Sequence, residues 1–190
     1  MNPPLLPALD RSVVLVGLMG AGKSSVGKRL AQRLRLPFVD ADAEIEAAAG
    51  CTIEAIFEQF GEAEFRAGER RIMARLLDDP VRVIAAGGGA YMDPDTRAAI
   101  REKGIAVWLQ TELDVLVHRV KRRNNRPLLK QGDQRAILER LIQLRYPIYA
   151  EADITVATSD QPHKELVSII VARLEEQMAC RAPRLSASAP

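Results

Sequence analysis

The stretch Gly17-Leu18-Met19-Gly20-Ala21-Gly22-Lys23-Ser24 constrains this chain more than any other. An apolar run, Val13-Val14-Leu15-Val16, precedes it, and a segment with apolar residues at helical spacing, from Val26 to Leu34, follows. Strand, glycine-rich loop and helix in that order are the setting in which G-x-x-x-x-G-K-[ST] holds phosphate. Glycines let the backbone curl so that successive N–H groups point at phosphate oxygens, and the helix start adds its positive dipole end. The nucleotide-binding set read here is Gly20, Ala21, Gly22, Lys23, Ser24 and Ser25. Lys23 supplies a point charge for the β/γ-phosphates, and the Ser24 hydroxyl is placed to ligate Mg²⁺.

The rest of the chain alternates strands and helices. Strands are predicted at Ser12–Val16, 37–40, 81–85, 105–109 and 154–156, each read as apolar, and helices at Lys23–Leu34, 40–49, 53–60, from Gly61 to 77, 94–103, 112–122, 133–149 and 162–178. Gly50 reads as a helix C-terminus, Gly61 as a break, and Thr52 and Thr111 as N-caps. Apolar strands separated by helices imply one α/β domain over residues 1–190, with a parallel sheet covered on both faces. Residues 1–10 read as a flexible leader, 123–132 as a basic loop without periodicity, and 181–190 as a disordered tail.

A phosphate loop alone does not distinguish a switch, a motor or a small-molecule kinase. Asp40 falls at the carboxyl end of a strand, where parallel sheets place their ligands, and there it suits Mg²⁺ or its waters. Asp42, two residues on, reads either as a helix cap or as a ligand group. Gly87-Gly88-Gly89 after a buried strand reads as a turn or as a place of close backbone approach to a ligand. Arg66 lies in a charged helix and is not singled out by its neighbours, and Arg145 is ambiguous by itself. Arg119, Lys121, Arg122, Arg123 and Arg126 cluster around the basic loop, which reads as a solvated face or as arginines brought over a transferring phosphoryl group. His118 and His163 show no metal spacing and read as structural or surface residues.

The segments Gly17–Ser24, Val39-Asp40-Ala41-Asp42, Gly61-Glu62-Ala63-Glu64-Phe65-Arg66, Gly87-Gly88-Gly89, Arg126-Pro127-Leu128-Leu129 and Arg145-Tyr146-Pro147-Ile148-Tyr149 together resemble the shikimate kinase family, in its order, over roughly residues 12–160. The resemblance implies ATP-dependent phosphorylation of the shikimate 3-hydroxyl in aromatic amino-acid synthesis. It also implies a nucleoside monophosphate kinase-like fold with sheet order 2-3-1-4-5. By matching motif it assigns Asp42, Arg66, Gly87, Gly88, Gly89 and Arg145 to shikimate. Arg126 is then the lid arginine reaching ATP, Arg119 stacks on adenine, and Pro162 lies on the ring's other side. Lys23, Asp42 and Arg126 form the implied catalytic set, with Ser24 and Asp40 toward the metal. Ala86, before the glycines, has no side-chain oxygen to offer a metal.

Composition narrows the remaining classes. A net charge of +2 argues against a dedicated nucleic-acid surface. Cys51 and Cys180 fit no metal spacing and no disulfide framework, so a cytoplasmic protein is expected. Met1–Leu9 lacks a basic start and a long apolar core, so it does not read as a signal peptide, and no run approaches membrane-spanning length. A monomer is expected. The alternatives are a related kinase, such as one acting on gluconate, and a nucleotide-dependent binding protein touching RNA.

Overall fold

The computed structural model describes residues 9–121 and 133–181. The leader 1–8, the basic loop 122–132 with Arg122, Arg123 and Arg126, and residues 182–190 lie outside the described residues. The elements in chain order are β1 (Ser12–Val16), α1 (Lys23–Leu34), β2 (Phe38–Asp40), α2 (Ala41–Ala49), α3 (Ile53–Asp78) and β3 (Val83–Ala85). After a 3-10 turn at Ala90–Met92 come α4 (Pro94–Lys103), β4 (Gly104–Thr111), α5 (Leu113–Lys121), α6 (Gln134–Tyr149), β5 (Ile154–Thr158) and α7 (His163–Arg181). The five strands form one parallel sheet in the order β2-β3-β1-β4-β5.

β1 is central because every residue in it is apolar or small, and all five are buried. Its register sets the site. Leu15 pairs with Ala85, and Ala85 pairs with Asp40, while Val16 pairs with Trp108. The phosphate loop, Asp40 and the triple glycine therefore leave the sheet at one edge, the carboxyl ends of β1, β2 and β3. Right-handed crossovers put α1 on one face, where α7 packs against it, and α3 and α4 on the other. α1 buries Val26, Gly27, Leu30, Ala31 and Leu34, a stripe at the helical period. Gly27 lies so close to the sheet that a Cβ there would stand 2.5 Å from Phe38 Cε2.

The structure redraws several local expectations. β5 alternates buried and exposed residues because it is an edge strand with one face to solvent. The break expected at Gly61 is present: inside α3 two helices meet across a kink where Gly61 takes φ 80° and ψ 175°. That backbone is strained for any residue with a Cβ. Thr111 is not an N-cap: it ends β4, buried, with its hydroxyl 2.5 Å from that of Thr158. α7 runs to Arg181, three residues beyond its expected end near Met178 and into the first residue of the expected tail. Cys51 packs beside the start of α3 against a small cluster built on Ile45, Ile56 and Phe65. Among the described residues no helix is long and apolar enough to cross a membrane.

Candidate active site

The donor half of the site is a cleft of about 230 Å³ lined by Gly20, Gly22, Lys23, Ser24, Ser25, Asp40, Asp42, Ala85, Ala86, Arg119 and His163. Gly20 and Gly22 take φ of 84° and 95°, the left-handed region that turns the loop inward, and Gly22 is the N-cap of α1. Ala21 is buried, its N–H donating to the Leu18 carbonyl at 3.2 Å. Lys23 Nζ donates to the carbonyls of Gly17 at 2.7 Å and Leu18 at 3.1 Å, which holds the ammonium over the loop.

Ser24 and Asp40 meet across the cleft. The Ser24 hydroxyl donates to Asp40 Oδ2 at 2.6 Å, while Asp40 Oδ1 accepts the Asp42 N–H at 3.2 Å. Asp40, not Asp42, is thus the N-cap of α2, and the carboxylate of Asp42 serves elsewhere. The pair of oxygens suits a small hard cation, since Mg²⁺ takes one or two protein oxygens and completes its shell from phosphates and water. No cluster of three or more acidic, histidine or cysteine side chains suited to a metal occurs among the described residues. A shared, phosphate-completed site is the one this donor set fits.

The acceptor half is built on the triple glycine. A Cβ on Gly87 would stand 2.5 Å from Glu69 Oε1 and 2.7 Å from Asp42 Oδ1. One on Gly88 would face Arg145 Nη1 at 3.6 Å, and one on Gly89 would stand 2.8 Å from Arg66 Cζ. At Gly87 and Gly89 the missing side chain leaves room that charged groups from α2 and α3 occupy, while Gly88 meets Arg145 of α6 at ordinary contact distance. The segment is a bare ridge, and four charged groups close on it.

Glu69 organises these charges. It is 2% exposed and accepts from Arg66 Nη1 at 2.7 Å. Burial raises its pKa above the usual carboxylate value against the pull of Arg66, and the nearby Asp42 charge raises it further. Burial also opposes the charge on Arg66, yet hydrogen bonds and attraction from Glu69 and Glu62 outweigh it and hold the guanidinium firmly charged. Arg145 Nη1 donates to the Gly88 carbonyl at 2.7 Å. Two arginines are thereby set beside the ridge with Asp42 between them and the phosphate loop.

Of the residues expected from sequence, Gly20, Gly22, Lys23, Ser24, Ser25, Asp40, Asp42 and Arg119 line one cleft, and Asp42 joins it to Arg66, Gly87, Gly88, Gly89 and Arg145. Arg119 is held by the Ser159 carbonyl at 2.5 Å, which anchors the loop after β5. Pro162 does not line the cleft; its neighbour His163 does, a placement that no spacing along the chain announces. Burial, then the charges of Arg29 and Arg119, lower the pKa of His163. Arg126 lies outside the described residues.

Glu69 was also missed, lost among the acids of α3. Its signal was present: Phe65, Glu69, Met73 and Leu76 form a single buried stripe, and a carboxylate on an apolar stripe requires a partner.

Known proteins resemble this chain in sequence and fold. A family model described as shikimate kinase matches residues 19–175. A shikimate kinase of Rhodopseudomonas palustris is 57% identical over 174 residues, which cover 92% of this chain and 85% of that protein. A shikimate kinase of Paramagnetospirillum magneticum is 58% identical over 161 residues, 85% of this chain and 83% of that one. The solved structure of a shikimate kinase from Acinetobacter baumannii in complex with shikimate superposes with a TM-score of 0.85 at 36% identity, covering 88% of this chain and 94% of that chain. With a phosphate loop facing a ridge of glycines and arginines, and with relatives matched along nearly its whole length, the chain belongs to the shikimate kinase family.

Proposed function

We propose that this protein transfers the γ-phosphoryl group of ATP to the 3-hydroxyl of shikimate, giving 3-phosphoshikimate and ADP. The observation that carries the reading is Asp42, which lines the phosphate-loop cleft and at the same time closes on Gly87 beside Glu69. Among the described residues it is the one carboxylate that both lines the phosphate-loop cleft and approaches the ridge.

Shikimate offers a carboxylate and three hydroxyls. Arg66 and Arg145 grip the carboxylate through charge-assisted hydrogen bonds, and the glycine ridge lets the ring lie close to the backbone. Asp42 accepts from the ring hydroxyls, orients the attacking oxygen and takes its proton as the bond to phosphorus forms. Phosphoryl transfer passes through a loose transition state, so aligning acceptor and donor counts for more than a strong base. The loop amides and Lys23 bind the β/γ-phosphates and stabilise the negative charge that builds as ADP leaves. Ser24 and Asp40 would hold Mg²⁺, whose chemistry when bound is to neutralise phosphate charge. Arg119 and His163 flank the nucleotide end of the cleft.

A coupled ADP-release assay with Mg-ATP against shikimate, quinate, gluconate and nucleoside monophosphates tests this. Shikimate-dependent release well above the other acceptors is expected. A preference for gluconate or for no acceptor overturns it. Asp42→Asn is expected to keep ATP binding and lose most turnover. An equal loss of ATP affinity would move Asp42 to the nucleotide side.

A further inference from the structure

The segment Arg145-Tyr146-Pro147-Ile148-Tyr149 ends on a residue that the reaction above does not use. Tyr149 is fully buried, its ring packed among Tyr91, Trp108 and Tyr146 at centroid distances of 6.3, 6.0 and 6.3 Å. Its hydroxyl donates to the carbonyl oxygen of Gly88, the same atom that accepts from Arg145 Nη1. Burial pushes the phenol up to about 12, so it remains a donor throughout the neutral range.

Two donors from one turn of α6 thus hold a single carbonyl of the ridge. A peptide unit is planar, so fixing the Gly88 carbonyl also fixes the N–H of Gly89, which points the opposite way. Glycine backbone is the most mobile in the chain, and a bare ridge of three glycines needs an external restraint to present one geometry. The aromatic packing around Tyr149 supplies that restraint from the core.

We propose that Tyr149 is a positioning residue for the acceptor: its hydroxyl, together with Arg145, locks the Gly88–Gly89 peptide and so sets the affinity for shikimate. The inference rests on the function proposed above. Tyr149→Phe keeps the ring and its packing, and the Gly88 carbonyl keeps Arg145, so no buried acceptor is orphaned and the variant folds. Losing one neutral hydrogen bond is expected to raise KM for shikimate about three- to ten-fold. KM for ATP and kcat should stay within about two-fold of wild type.

Tyr146→Phe is the control, because the Tyr146 hydroxyl donates to the Thr111 carbonyl and not to the ridge. It should leave KM for shikimate unchanged. Wild-type shikimate KM in a folded Tyr149→Phe protein, or the same rise in Tyr146→Phe, overturns the inference. A second readout needs no variant: in isotope-labelled wild type, the Gly88 carbonyl carbon resonance should move on adding shikimate. No movement under saturating shikimate also overturns it. A wild type without shikimate-dependent turnover would instead fail the proposed function, which separates the two failures.

Discussion

Gly89→Ala tests whether the ridge is bare because the arginines need the space. Gly89 has φ −103° and ψ −16°, a backbone open to alanine, so the substitution probes side-chain room and not conformational strain. A Cβ there would stand 2.8 Å from both Cζ and Nη2 of Arg66. That is roughly 0.7–1.2 Å inside the ~3.5–4.0 Å at which carbon atoms pack, so the guanidinium must retreat by about 1 Å. Its 2.7 Å bond to Glu69 Oε2 cannot survive that shift unchanged. A misplacement of about 1 Å in a substrate-positioning group costs on the order of 100-fold, or about 2.7 kcal/mol of transition-state stabilisation. Arg66 is 27% exposed and can swing outward, but its partner Glu69 is buried, so weakening that charged hydrogen bond should cost about 1.5–3 kcal/mol of stability. Steady-state kinetics with each substrate varied, beside a thermal melt, reads both. The expected result is a large loss in kcat/KM for shikimate, an unchanged KM for ATP and a melt lowered by roughly 3–12 °C. A folded Gly89→Ala protein with wild-type shikimate kinetics would refute the idea that Arg66 is seated by the missing side chain.

Glu69→Gln should alter the pH dependence of stability. Because burial raises the folded pKa of Glu69 above 4.5, the folded state binds its proton more tightly than the unfolded chain. Stability from this group is then fully present below pH 4.5 and lost as pH rises through the folded pKa. Subtracting the unfolding free energy of Glu69→Gln from that of wild type across that window should show this decline, and a flat difference would contradict it. Ser24→Ala and Asp40→Asn should each raise the Mg²⁺ concentration for half-maximal turnover about ten-fold or more. An unchanged Mg²⁺ titration would remove the pair from the metal. Gly27→Ala forces a methyl against Phe38 Cε2 at 2.5 Å and Leu15 Cδ1 at 3.2 Å, so overpacking should cost about 1–3 kcal/mol. A melt equal to wild type would mean that α1 can lift from the sheet without penalty.

The features legible in the sequence are those created by neighbours along the chain. The phosphate loop, the apolar period of α1, the break at Gly61 and the apolar run of β1 each arise from contacts within a few residues, so local pattern determines them. Thr111 was misread because its hydroxyl answers a partner 47 residues away, Thr158, and not its own helix start. His163 enters the cleft only because α7 begins where β5 ends, at the nucleotide edge of the sheet. The acceptor site depends still more on topology. Asp42, Arg66, Glu69 and Arg145 come from three helices and share no motif, and only the strand order brings them to the glycines. By itself the sequence determined the strand, loop and helix that hold phosphate, since that chemistry is read within one local turn. The family motifs already grouped Asp42, Arg66 and Arg145 with the glycines; the tertiary structure alone decided that Glu69 is buried among them, because burial and charge pairing are properties of residues distant in the chain.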